Sequence, residues 1–197
     1  DSTDYITYES MRNTNVPRLL GIPNPISYAM LCISLRKHWK QIQNHFEHHT
    51  KGQKHKISRL HIRKMKNTNV LFEMNYKGGD NDPELDLLFG ARYIVRADIS
   101  KCFPSMYSHA LPWAIVGKQI AKNNRSPEEY YNDLDLRTRN IKDGETNGFL
   151  IGPHSSNLLS EIILVAVDSK LSKKWKYVRH IDDYIAYVQN PKEAEQF

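Results

Sequence analysis

The chain has 197 residues, 40% of them hydrophobic and 25% charged, and carries a net charge of +6. It reads as a soluble globular chain able to bury a core as one domain or two small ones. No run approaches the roughly 18 apolar residues that a membrane span needs, and no N-terminal targeting pattern is visible. The two cysteines, Cys32 and Cys102, sit in apolar surroundings without metal-ligand spacing, as expected of reduced core residues in an intracellular protein.

Residues 1–23 are polar and broken by Pro17 and Pro23, and read as an extended lead-in. Asn24-Pro25 looks like an N-cap followed by a first-turn proline, opening a helix to about Phe46. Leu31, Leu35, Ile42 and Phe46, with Trp39 between them, form its apolar stripe, and Arg36, Lys37 and Lys40 lie off it.

From Arg36 to Lys66 there are ten Lys or Arg residues against one acid, Glu47, and six of the nine histidines. Such a segment matches a phosphate backbone electrostatically, although a solvated helix face followed by a basic loop would look the same. A zinc site built from His45, His48, His49, His55 and His61 is the weaker alternative, because the spacing is irregular and no cysteine pair accompanies it. Short strands are expected between Ile57 and Tyr76, with a turn over residues 77–84.

Tyr93 to Asp98 is a β-rich run that ends on an acid, an expensive place for a carboxylate unless it is exposed, paired or ligating. Ser126-Pro127-Glu128-Glu129 resembles a capping box and predicts a helix start. Gly148 to Asn157 is a Gly-bounded loop running into a helix that extends to about Lys173, a setting that suits a phosphate or a template backbone. Tyr177 to Val188 reads as a β-hairpin with Asp182 and Asp183 at its tip. Two adjacent carboxylates become favourable when a divalent cation neutralises them, and oxygen ligands suit magnesium; an Asp-rich turn without chemistry is the plain alternative. Asn190-Pro191-Lys192-Glu193 repeats the capping pattern. Starting at Asp1 and stopping at Phe197 within a helical pattern, the chain reads as part of a longer protein.

In this order the segments resemble the motifs of the reverse transcriptase family, and most closely its bacterial abortive-infection and phage-defence members. The resemblance rests on Val95 to Tyr107, on Leu111-Pro112-Trp113-Ala114 with Gly117-Lys118, on Gly152 to Asn157 with Glu161, and on Tyr177 to Tyr184. It implies an α+β right-hand polymerase with an antiparallel palm sheet and no thumb in this chain. Residues 1–90 would be the N-terminal region and fingers, 91–107 palm, 108–147 a helical fingers segment, and 148–197 palm.

The implied reaction is RNA-directed DNA synthesis by two-metal nucleotidyl transfer from a dNTP to a 3′-hydroxyl. Asp98, Asp182 and Asp183 would be catalytic and, with Ile99, form the site for two Mg2+ ions, Mn2+ being the alternative. Phe103 would be the steric gate against a 2′-hydroxyl. Gly152, Arg63 and Lys64 would bind the nucleotide, and Arg59, Lys66, Pro153, His154, Asn157 and His180 the nucleic acid. The expected partners are an RNA template, a DNA or protein primer, a non-coding RNA or partner protein, and further copies of the chain, in a bacterial cytoplasm without membrane association.

Two positions depart from the family. His180 stands where a tyrosine is usual, and Phe149-Leu150-Ile151-Gly152 replaces the common Leu-Pro-Gln-Gly. Both spare the carboxylates and alter surfaces that meet primer and template. Template-independent or protein-primed synthesis at the same site is therefore a second expectation, and a non-catalytic nucleic-acid-binding module a third.

Overall fold

A computed structural model describes residues 1–11, 16–62, 72–73 and 83–197. Arg63, Lys64 and Lys66, expected at the nucleotide and nucleic acid, lie outside the described residues. In chain order the elements are β1 (Tyr5–Met11), β2 (Pro17–Pro23), α1 (Pro25–Lys37), α2 (Trp39–Thr50), β3 (His61–Ile62), β4 (Phe72–Glu73), α3 (Glu84–Leu88) and β5 (Tyr93–Asp98). These are followed by α4 (Cys102–Ser105), α5 (Ala110–Val116), α6 (Lys118–Asn123), α7 (Tyr130–Asn140), α8 (His154–Leu171), β6 (Tyr177–His180), β7 (Asp183–Val188) and α9 (Pro191–Gln196). The mixture of helices with small antiparallel sheets is α+β.

Two compact units divide the chain, residues 1–48 with 101–166 and residues 49–100 with 167–197. The first is mainly helical. The Asn24 side chain accepts from the Ile26 and Ser27 amides, so the expected cap is made and α1 begins with Pro25 in its first turn. One helix was expected to Phe46, but the backbone breaks at His38, whose N–H bonds back to Ser34 and Arg36. Leu31, Leu35 and Ile42 are buried across the break, and Arg36, Lys37 and Lys40 stay exposed. Cys32 departs from its expected place in the core. It lies on the exposed side of α1, one position away from the buried Leu31, while Cys102 is buried as expected.

Residues 1–23 are not a plain lead-in. β1 and β2 pair antiparallel, from Tyr5 opposite Pro23 to Met11 opposite Pro17. The helix expected to open at Ser126 starts later, at Tyr130. Asn132 Nδ2 donates to the Asn124 and Ser126 carbonyls and holds residues 124–129 as a turn instead.

The second unit is built on a three-stranded antiparallel sheet in the order β5-β7-β6. Residues 57–59 run along the outside of β6, with the Arg179 amide donating to Ile57 O and the Arg59 amide donating to Arg179 O. One sheet face carries Tyr177, Tyr184 and Ala186 and is covered by Ile57, Leu171, Trp175 and Phe197. The other face carries Val178, Ile185 and Tyr187, packed with Leu87 and Ala91. Strand alternation puts Asp98, Asp183 and His180 on this second face, at the opposite end of the strands from Tyr187. α9 is capped as expected, with Asn190 Oδ1 accepting from the Glu193 amide.

Candidate active site

The candidate site is the end of the sheet where β5 stops and the β6–β7 hairpin turns. Asp98 is the last residue of β5 and Asp183 the first of β7, and they are direct partners in the register. His180, the last residue of β6, is the partner of Asp183 on its other side. Asp98, Asp183 and His180 therefore form one row across three strands. The Ile99 amide donates to the Asp182 carbonyl at 3.1 Å, which ties the hairpin turn to the chain just beyond β5. The expected carboxylates thus come to one end of one sheet, with Ile99 and His180 beside them.

Asp98 and Asp183 are exposed and Asp182 is half-buried. Asp98 therefore keeps its hydration, and burial is not what makes its position costly. Like charges directly opposite each other across an antiparallel pair are destabilising, so the energetic demand comes from Asp183. An all-oxygen donor set of this kind, on paired strands and a tight turn, fits Mg2+ chemically. Among the described residues, no three His, Cys, Asp or Glu side chains are drawn together closely enough to form a finished metal cluster.

The turn itself is strained and braced. Residues 181 and 182 join the strands, and Ile181 has φ 58, a left-handed conformation that suits glycine and costs a β-branched side chain on the order of 1–3 kcal/mol. Arg179 Nη1 donates to the Ile181 carbonyl at 2.9 Å. The Arg179 side chain is fully buried and paired with Asp168 of α8, 1% exposed, through Nε and Nη2 contacts of 2.9 and 2.6 Å to Oδ2. Tyr177 Oη donates to Asp168 Oδ1 at 2.8 Å. Burial and the neighbouring Asp168 carboxylate push the Tyr177 hydroxyl well above the ordinary tyrosine range, so it remains a donor. A buried charge network thus fixes the backbone that presents Asp182.

Reading the sequence for chemistry missed this network. Its signal was an acid, Asp168, within the largely apolar run Leu164 to Leu171 and an arginine flanked by Val178 on the strand that follows, since an acid and an arginine among apolar residues are rarely buried unless paired.

Arg59, expected to reach a nucleic acid, is instead 4% exposed in the layer beside β6. Three histidines of the weaker zinc alternative have other partners, and the side chain of His61 lies outside the described residues. His45 Nε2 bonds the Ile162 carbonyl, His49 Nδ1 bonds Ser169 Oγ, and His55 Nε2 bonds the Tyr177 carbonyl.

The remaining expected residues belong to the first unit. Phe103, on α4, is buried, and its carbonyl accepts from the Phe149 amide at 2.7 Å, so the first motif and the Gly-bounded loop are joined there. Gly152 has φ +126, and a Cβ on it would lie 3.2 Å from the Gly21 carbonyl oxygen. The Gly21 amide in turn donates to the Ile151 carbonyl at 2.8 Å. A side chain there would be strained by the positive φ and would need the Gly21 carbonyl to give by a few tenths of an ångström. Pro153 and Asn157 are half-buried and His154 is exposed at the start of α8.

Compared with known proteins, the sequence matches no family model, and no curated protein matches it significantly. Among the described residues, no helix is long and apolar enough to cross a membrane.

Proposed function

We propose that the chain is the fingers-and-palm portion of a nucleotidyltransferase, an RNA-directed DNA polymerase of the bacterial phage-defence type. The observation that carries this reading is the pairing of Asp98 with Asp183 across β5 and β7, beside a turn that adds Asp182. A strand-terminal acid and an Asp-Asp hairpin from distant parts of the sequence meet at one sheet end, as the ordered motifs require.

Asp98 and Asp182 would ligate the metal ions, and Asp183 would be the supporting carboxylate. Bound Mg2+ would supply Lewis acidity, lowering the pKa of the attacking hydroxyl and offsetting charge on the departing pyrophosphate. In the transfer, the hydroxyl oxygen bonds to the α-phosphorus of a dNTP, the α–β phosphoanhydride bond breaks, and the hydroxyl proton passes to solvent. The chain's own part is to hold the carboxylates in place. Arg179, anchored on Asp168, fixes the Ile181 carbonyl and with it the turn. By the same resemblance, Phe103 and Gly152 would contact the nucleotide, and Pro153, His154, Asn157 and His180 the nucleic acid.

The test uses the protein expressed from its full open reading frame, with Mg2+ and labelled dNTPs, with and without RNA template and primer. Product that depends on template and on Asp98, Asp182 and Asp183 is the expected result. Aspartate-dependent product without template, with label attached to protein, would redirect the reading to protein-primed synthesis. If no product depends on the aspartates, the enzymatic reading fails.

A further inference from the structure

The helical unit, which carries none of the three aspartates, contains a cleft of about 530 Å3, in the size range of small-ligand sites. Its walls combine three features. The first is aromatic: Tyr107 meets His109 edge-on at 4.9 Å and lies 5.6 Å from Trp113, which is half-buried. The second is cationic: Lys122 and Arg125 are exposed where they line the cleft.

The third is a buried acceptor. Asp135, on α7, lines the cleft while only 5% exposed. Its Oδ2 accepts from His109 Nδ1 at 2.8 Å and lies 3.3 Å from Arg139 Nε. Its Oδ1 is buried with no hydrogen-bond partner among the described residues. An unsatisfied carboxylate oxygen carries a desolvation cost, which a ligand N–H would remove.

From these three features we infer that the cleft is a nucleotide-binding site separate from the aspartates. A base stacks on the Trp113 and Tyr107 rings and donates an N–H to Asp135 Oδ1, and its phosphate meets Lys122 and Arg125. Guanine is one base that can supply this donor, through its N1–H or its exocyclic amine. The shared chemistry is a nucleoside phosphate, free or at the end of a single strand.

Calorimetric titration of the full chain with 5′-GMP and with a short G-ended RNA, in EDTA, tests this, because EDTA suppresses metal-dependent nucleotide binding at the aspartates. Binding is expected in EDTA and unchanged by Asp182→Ala, so a failed polymerase assay would leave it intact. Trp113→Leu and Asp135→Asn should each weaken it roughly tenfold. Arg125→Gln, a surface change that spares the fold, should weaken it a fewfold and flatten its salt dependence. Equal affinity for GMP and the RNA would identify a free nucleotide as the ligand, and tighter RNA binding a strand end; both support the site. No binding of either probe, or binding indifferent to both Trp113→Leu and Arg125→Gln, would overturn it.

Discussion

Arg179 and Asp168 show how much of the candidate site depends on residues that could never touch a substrate. Breaking one partner of a fully buried pair strands the other charge, so Arg179→Met should destabilise the fold by about 3–5 kcal/mol in urea unfolding. Arg179→Met with Asp168→Leu should cost clearly less, because no charge is left uncompensated. Tyr177 adds a pH dependence to the same network. Its folded hydroxyl titrates above its unfolded value, so the stability it contributes is complete below about pH 10 and is lost as pH rises beyond that. Alkaline unfolding followed by circular dichroism should therefore be less steep above pH 10 in Tyr177→Phe. At the turn, Ile181→Gly should relieve left-handed strain and raise stability by roughly 1 kcal/mol, provided Arg179 keeps its bond to the carbonyl.

At the scale of elements, the parts readable from sequence were those with a local chemical signal. Asn24 and Asn190 announce their helices through the caps they make, and α8 through its broad apolar face. The β6–β7 hairpin is bounded by its β-branched and aromatic runs. What lacked a local signal was invisible. β1 and β2 leave most side chains exposed on both faces, so no alternating apolar pattern marks them. The break at His38 keeps Leu31, Leu35 and Ile42 buried, so the helical period continues through it. Gly152 stood out as a loop glycine, but its approach to Gly21 depends on a strand far away in sequence. Gly152→Ala combines positive φ with that contact, and thermal unfolding should register a loss of about 1 kcal/mol or more.

Across the whole molecule, the order of the segments singled out three carboxylates, and the sheet register pairs Asp98 with Asp183 beside the turn that holds Asp182. The reasons for their placement were legible only in part, because the buried brace and the opposition of Asp98 to Asp183 are tertiary facts. That opposition makes a prediction specific to a metal site. Without divalent ions, Asp183→Asn should stabilise the fold by about 0.2–1 kcal/mol by removing a like-charge pair. With Mg2+ and nucleotide present, the wild type should regain that difference by binding.

The most direct measurement is Mn2+ binding to this chain by electron paramagnetic resonance, with and without dGTP, in the wild type and in Asp98→Asn and Asp183→Asn. Mn2+ that is bound more tightly with dGTP and released by either substitution is the predicted result. No bound Mn2+, or binding that neither substitution weakens, would contradict the assignment of these carboxylates to two-metal nucleotidyl transfer.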